Sequence, residues 1–174
     1  MLTELFSIPI FQSNIDCSKI KFLKEKFSPT NQWMSKTVSS HNHQNELEKE
    51  SYQYLMSIIL KMLHERYTNF EIALSNIWTN KYFEKDYQES HIHPNSTFSF
   101  IIYKKVDESK TFFIAPYQEL VQAFDICHLF KDRQDVECRS NQIILFPSFL
   151  RHGVKLSDNQ ETIAGNLLFK YKVV

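Results

Sequence analysis

The chain has 174 residues, 43% of them hydrophobic and 14% aromatic, and its 20 basic residues are matched by 20 acidic ones. That composition supports one folded domain over residues 1–174 with a substantial core; it excludes intrinsic disorder, and no basic run interleaved with aromatics offers a phosphate backbone a track, so no nucleic-acid partner is expected. Cys17, Cys127 and Cys138 are scattered without a CxxC, which argues against a disulfide framework or a thiolate zinc site. With no basic start leading into a long apolar run, and no stretch of roughly 18 apolar residues, the expectation is a soluble cytoplasmic protein with no membrane association.

In chain order, Phe6 to Phe11 alternates apolar residues around Pro9, the pattern of a short edge strand. Asp16 is a capping-type residue before Ile20, Leu23 and Phe27 at helical spacing, which predicts a short amphipathic helix ending before Ser28-Pro29. Asn31 to Asn45 is polar and turn-rich and reads as a solvated loop; it carries Trp33 and a pair of histidines, His41 and His43, that form a rival metal candidate without a third partner nearby. Leu47 to about Tyr67 is the clearest helix, with Leu47, Tyr54, Leu55, Ile58, Ile59, Met62 and Leu63 recurring every three or four residues.

Beyond it the pattern changes to strands. Phe70 to Phe83 reads as one strand or two, Glu84 to Asp86 as a charged turn, Pro94-Asn95-Ser96 as another turn, and Thr97 to Lys105 as a central strand covered on both faces. Thr111 to Ala115 and three further strands, Gln142 to Phe146, Arg151 to Leu156 and Glu161 to Tyr171, complete the series. Between them, Pro116 to Asn141 is long and poorly patterned, which predicts a lid over a site. A few early helices followed by many short strands predict a mainly β protein: an antiparallel, cupin-like jelly roll, or double-stranded β-helix, with N-terminal helices packed on one sheet and a site at its open mouth.

Two stretches carry candidate chemistry: Glu89-Ser-His-Ile-His-Pro-Asn-Ser96 and Pro147-Ser-Phe-Leu-Arg-His-Gly-Val154. Alternate side chains of an extended strand share a face, so Glu89, His91 and His93 can project together, and His152 can close a metal-sized cluster from the second stretch. Three imidazoles, or two with a carboxylate, suit a divalent first-row metal such as non-haem iron. Histidines two apart also occur as plain hydrogen-bonding residues of a core or turn.

Together with Phe6-Ser-Ile-Pro-Ile-Phe11, Trp78-Thr-Asn80, Ser99, Tyr103 and Asn166-Leu-Leu-Phe169, these motifs resemble the iron(II)/2-oxoglutarate-dependent oxygenases of the small phage and marine bacterial type. The resemblance implies a double-stranded β-helix, Fe(II) as cofactor, 2-oxoglutarate and dioxygen as co-substrates, and hydroxylation of an unactivated carbon. It implies His91 and His152 as ligands. His93 falls where the wider superfamily carries Asp or Glu, so it is either a third ligand or a neighbour of the site, with Glu89 or Asp86 then supplying a carboxylate. Tyr103 and Asn166 match positions that hydrogen-bond the keto acid, and Asn80 lies on a strand expected to line the pocket.

One departure stands out. About ten residues after the second-half histidine, where relatives carry an Arg that forks the distal carboxylate of 2-oxoglutarate, this chain has Thr162. Bidentate cation contacts are strong and specific, so the loss bears on co-substrate binding. Lys105, on the same strand face as Tyr103, is the expected replacement. Two other readings stay open: a jelly-roll binding protein that has lost its chemistry, and a three-histidine cupin-type dioxygenase that uses no keto acid. The expected partner is a small-molecule or peptide substrate of unidentified class; a homodimer is the assembly considered.

Overall fold

The computed structural model describes residues 7–32 and 35–172. Strand β1 (Phe11–Asn14) lies at one end of the sheet, an edge strand as expected, although the Phe6 end of that pattern falls outside the described residues. The helix expected from Asp16 to Phe27 is absent. Asp16 does cap, accepting the Ser18 backbone N–H at 3.0 Å, but only over the single 3-10 turn Cys17–Lys19. The chain then runs extended as β2 (Phe22–Lys24). Three apolar residues over so short a span do not repay helix nucleation. Competing partners hold the backbone instead: Lys21 donates its N–H to Ser51 Oγ at 3.0 Å and accepts from Glu48 N–H at 3.0 Å.

The stretch expected to be a loop forms a hairpin of β3 (Ser28–Gln32) and β4 (Ser35–Ser39). Its tip, with Trp33, lies outside the described residues. Here β-branched Thr37 and the small Ser39 are buried while Lys36 is exposed and Val38 half-buried, a period-two pattern disguised by polar residue types. A two-residue strand β5 (Glu46–Leu47) pairs with β2 and leads into helix α1 (Lys49–His64).

The remaining strands are β6 (Phe70–Tyr82), β7 (Asp86–His91), β8 (Phe98–Lys105), β9 (Thr111–Ile114), β10 (Arg133–Asp135), β11 (Gln142–Pro147), β12 (His152–Ser157) and β13 (Gln160–Tyr171), with a six-residue helix α2 (Gln118–Ala123) between β9 and β10. They pair in the order β1-β11-β8-β13-β6-β4-β7-β12-β9-β10, each pair antiparallel. Because β4 bonds both β6 and β7, it joins a wall ending in β6 to a wall beginning with β7. The sheet curls on itself, and Phe113 of the second wall packs with Trp78, Ile144 and Phe146 of the first.

Alternation divides the first wall between two cores. Phe98, Phe100 and Ile102 of β8 point out, with Ile143 and Leu145 of β11, against Leu55, Ile59, Met62 and Leu63 of α1. Each such burial is worth about 1.5–3 kcal/mol. Ile101 and Tyr103 point inward with Ile144, Phe146 and Ala164. The expected N-terminal helices on one sheet thus reduce to a single packed helix at residues 49–64, preceded by strands. With only two glycines in the chain, asparagine takes left-handed turn positions, including Asn95 at φ 64° in the turn that follows His93. Among the described residues no helix is long and apolar enough to cross a membrane.

Candidate metal centre and its cavity

His91 ends β7 and His152 opens β12, and the two sit opposite each other in the ladder between those strands. Gly153 permits this approach, since a Cβ there would stand 2.8 Å from the carbonyl oxygen of Gln88 on β7. His93 follows in the coil after β7, fixed by its backbone N–H, which donates to Ser148 O at 3.1 Å. The ligand atoms of His91, His93 and His152 lie within 4.8 Å of one another.

Hydrogen bonding orients two of the rings. A carbonyl oxygen can only accept, so His91 Nδ1 carries its proton toward Glu89 O at 2.9 Å and His152 Nδ1 toward Leu150 O at 3.0 Å. Both rings therefore keep the Nε2 lone pair free, the arrangement in which imidazoles bind metals. His93 Nε2 stands 3.3 Å from His152 Nε2. Burial holds the set neutral. Desolvation is the first cause for all three: it lowers the pKa of His91, pushes His93 down to about 4 with His91 and His41 adding to the effect, and holds His152 well below the ordinary range. Three neutral, convergent nitrogen donors with no carboxylate among them fit a divalent first-row cation.

The carboxylate alternatives are not brought to the cluster. Glu89 is exposed. Asp86 is buried in the β6–β7 turn, where it accepts the Phe83 N–H at 2.8 Å and pairs with Lys36 at 3.2 Å. The rival histidines part company: His43 hydrogen-bonds Ser28 Oγ at 3.1 Å, while His41 stands edge-on to Trp78, with ring centroids 4.6 Å apart, at the margin of the site.

Two spaces adjoin the histidines. An open cleft of about 450 Å³ runs along the β3–β4 hairpin past Thr37, Ser39, His41 and Asn166 to His91 and His93. Behind it, a narrow inner cavity with about 30 Å³ of free space reaches from the three histidines into the barrel. Trp78, Asn80, Gln88, His91 and His93 are walls of both. Asn80 is held by Ser39, whose hydroxyl donates to Asn80 Oδ1 at 2.7 Å, and Asn166 accepts from Ser99 Oγ at 2.8 Å. Thr162 lines the inner cavity. Tyr103 is fully buried on the inward face of β8.

Lys105 is not brought in. It is exposed at the end of β8 and lines neither space, because the β8–β13 ladder shifts register between Tyr103 and Lys105, so that Val106 and not Lys105 follows Tyr103 into the inner core. Nor does the stretch from Pro116 to Asn141 contribute a wall; it forms α2 and the edge strand β10 beside β9. The hairpin occupies the place expected for that lid. Thr37 and Ser39 are cleft residues that motif spacing did not single out, and only their inward alternation could have signalled the hairpin.

Residues 76–163, which are 88 of the 174, match the model of a protein family described as "Putative 2OG-Fe(II) oxygenase". Among solved structures the fold is similar to an oxidoreductase of the 2OG-Fe(II) oxygenase family from Burkholderia pseudomallei, with TM-score 0.58 and 12% identity over 83% of this chain and 74% of that one. It is also similar to a prolyl-4-hydroxylase from Pseudomonas putida, with TM-score 0.51 and 11% identity over 84% of this chain and 78% of that one. HygX from Streptomyces hygroscopicus, crystallised with nickel, 2-oxoglutarate and hygromycin B, gives TM-score 0.52 and 9% identity over 82% and 72% of the two chains. No curated protein sequence matches. The match over half of the chain, on a curled antiparallel fold of that kind, places this protein in the 2OG-Fe(II) oxygenase family.

Proposed function

We propose that the protein is an iron(II)- and 2-oxoglutarate-dependent dioxygenase whose metal is held by His91, His93 and His152. The observation that carries the reading is the convergence of three imidazoles, His152 buried and His91 and His93 half-buried, two of them with Nδ1–H donated to backbone carbonyls, at the junction of a cleft and an inner cavity. When bound, iron would supply the oxidising chemistry with 2-oxoglutarate and dioxygen as co-substrates: one oxygen atom goes to the succinate formed as carbon dioxide leaves, and the other hydroxylates an unactivated C–H of the substrate.

The chain's own residues have three tasks. The histidines hold a cation in neutral form and leave part of its surface open. Asn80 and Thr162 offer hydrogen bonds toward the keto acid from the inner cavity and Asn166 from the cleft, with Tyr103 buried behind them on β8. The β3–β4 hairpin, with Thr37, Ser39 and His41, borders the cleft on the substrate side and restricts water there. The cleft walls are hydroxyls, amides, imidazoles and Trp78, which suits a small-molecule or peptide substrate. The motifs quoted above support the small phage type, and the scattered cysteines support a cytoplasmic setting.

Measuring succinate formed from 2-oxoglutarate by the iron-loaded protein under air, with and without His152→Ala, tests the reading. The parent should form succinate even without added substrate, by uncoupled turnover, and the variant should form none. A His152→Ala protein as active as the parent would refute it. A second reading, a three-histidine dioxygenase that uses no keto acid, is favoured by one feature: the cluster contains three imidazoles and no carboxylate. Dioxygen consumption by the iron-loaded protein that is indifferent to 2-oxoglutarate would select it.

A further inference from the structure

The open cleft continues beyond the metal centre. It shares His41, Asn76 and Trp78 with a second hollow of about 400 Å³. That hollow shares Asn45, Glu46 and Ile77 with a third, of about 480 Å³, whose other walls include Leu23, Leu47, Leu74 and Tyr52. The three spaces form one groove that starts at His91 and His93, follows β6 and ends among apolar side chains. Two of these, Leu23 and Tyr52, are 67% and 41% exposed. Asn45 ties the opposite wall to β6, donating from Nδ2 to Ser40 O at 2.8 Å and to Ile77 O at 2.9 Å.

Along this groove β6 keeps an open edge. β13 pairs with β6 from Phe70 to Tyr82, but β4 reaches it only at Asn80 and Lys81. Ser40 N–H donates to Thr79 O at 3.0 Å and Asn45 meets Ile77; beyond them no strand among the described residues pairs with this edge. Lys172 N–H donates to Asn69 O at 2.7 Å, which turns Asn69 toward β13. Alternation then turns the N–H and C=O of Ile72 and Leu74 the other way, to the open edge. The ladder slips next to Leu74, leaving Ser75 as a bulge in the groove wall. A free strand edge presents donors and acceptors at the spacing of another peptide backbone, which a sugar ring or a nucleobase does not reproduce.

We propose that the substrate is an extended peptide segment that lies along the open edge of β6, with one apolar side chain among Leu23, Leu47 and Tyr52 and a second residue delivered to the metal end. The proposal deepens the oxygenase reading given above and rests on it. 2-Oxoglutarate and dioxygen are the co-reactants: one oxygen atom enters a C–H bond of the delivered residue and the other enters succinate as carbon dioxide leaves. Trp78, whose ring centroid lies 5.7 Å from that of His93, is four residues from Leu74 on β6, a span of about 13 Å at the rise of a strand. An extended peptide covers that span in about four residues, so the apolar anchor and the oxidised residue stand about four positions apart.

The test is affinity selection on the full chain from a synthetic random nonapeptide library, N-acetylated and C-amidated, with the bound peptides sequenced by mass spectrometry. Selected peptides should share a large apolar residue. Leu23→Asp and Tyr52→Asp, both at exposed positions, should each weaken their binding by about tenfold or more, the loss of one apolar anchor. Phe124→Asp, which lines none of the three spaces, should leave it unchanged. Binding should slow hydrogen exchange of the Leu74 amide by about tenfold or more, since that N–H then gains a partner. With iron, 2-oxoglutarate and air, a selected peptide should gain one oxygen atom about four positions from its apolar residue. No enrichment over the Leu23→Asp protein, or bound peptides that leave Leu74 exchange unchanged, would overturn the proposal. Succinate formation without added peptide separates the two readings: a protein that forms none refutes the oxygenase reading and the peptide's role as its substrate, whereas succinate formation with no groove-dependent peptide refutes the peptide substrate alone.

Discussion

Lowering the pH should unfold the metal-free protein through its own metal site. His93 is pushed down to about 4 and His152 well below the ordinary range, in both cases chiefly by desolvation. In the unfolded chain each returns to about 6.5. Between the two values the unfolded chain binds more protons than the folded one, so stability rises with pH there. It is complete above about pH 6.5 and is lost as the pH falls toward 4. At pH 5, protonation of His93 favours the unfolded chain by about 2 kcal/mol, from RT ln(1 + 10^1.5), and His152 acts in the same direction. That is a large part of a typical domain's stability. Urea unfolding in the presence of a chelator at pH 7.5, 6.5, 5.5 and 5.0 measures the effect, and the double variant His93→Gln, His152→Gln should lose most of the pH dependence. A double variant with the parent's slope would refute the reasoning, because the acid sensitivity would then belong to other groups.

Three further outcomes follow from the geometry. His152→Ala and His91→Ala should each abolish stoichiometric iron binding by metal analysis, whereas His93→Asp, which keeps a ligand at that position, should retain it; unchanged affinity in His93→Ala would make that ring a bystander. Gly165→Ala should destabilise the fold by about 1–3 kcal/mol, visible as a drop of several degrees in melting temperature, because its Cβ would strike the Phe100 ring and stand 2.8 Å from Asn76 O. Lys105→Met should leave the dissociation constant for 2-oxoglutarate within about twofold, since the side chain is exposed outside the barrel; a tenfold loss would place the anchor at Lys105 after all.

The parts of this structure legible in the sequence are those where periodicity and burial agree. The stripe of Leu55, Ile59 and Met62 marked α1, and the apolar run of β8 marked a strand covered on both faces, since α1 takes one side and the barrel interior the other. The histidine triad was legible because two short motifs carry all of it. The β3–β4 hairpin was not. A strand whose inward residues are Thr37 and Ser39 has no hydrophobic alternation to detect, because it faces a polar cleft instead of a core. The Asp16 segment failed for the opposite reason: its apolar spacing was helical, but Leu23 is exposed and the backbone hydrogen bonds go to α1 and its N-terminal edge. Strand alternation put Lys105 on the face of Tyr103, but the register shift between them turns Lys105 out and Val106 in, and a bulge leaves no mark in the apolar pattern.

The most direct test of a three-histidine iron site that takes 2-oxoglutarate is an anaerobic titration followed by visible absorption. Ferrous iron should bind at one equivalent per chain, and subsequent 2-oxoglutarate should produce the charge-transfer band of a keto acid chelated to ferrous iron, absent in His152→Ala. Stoichiometric iron binding with no band at saturating 2-oxoglutarate would contradict the account and leave the protein a three-histidine metal site with other chemistry.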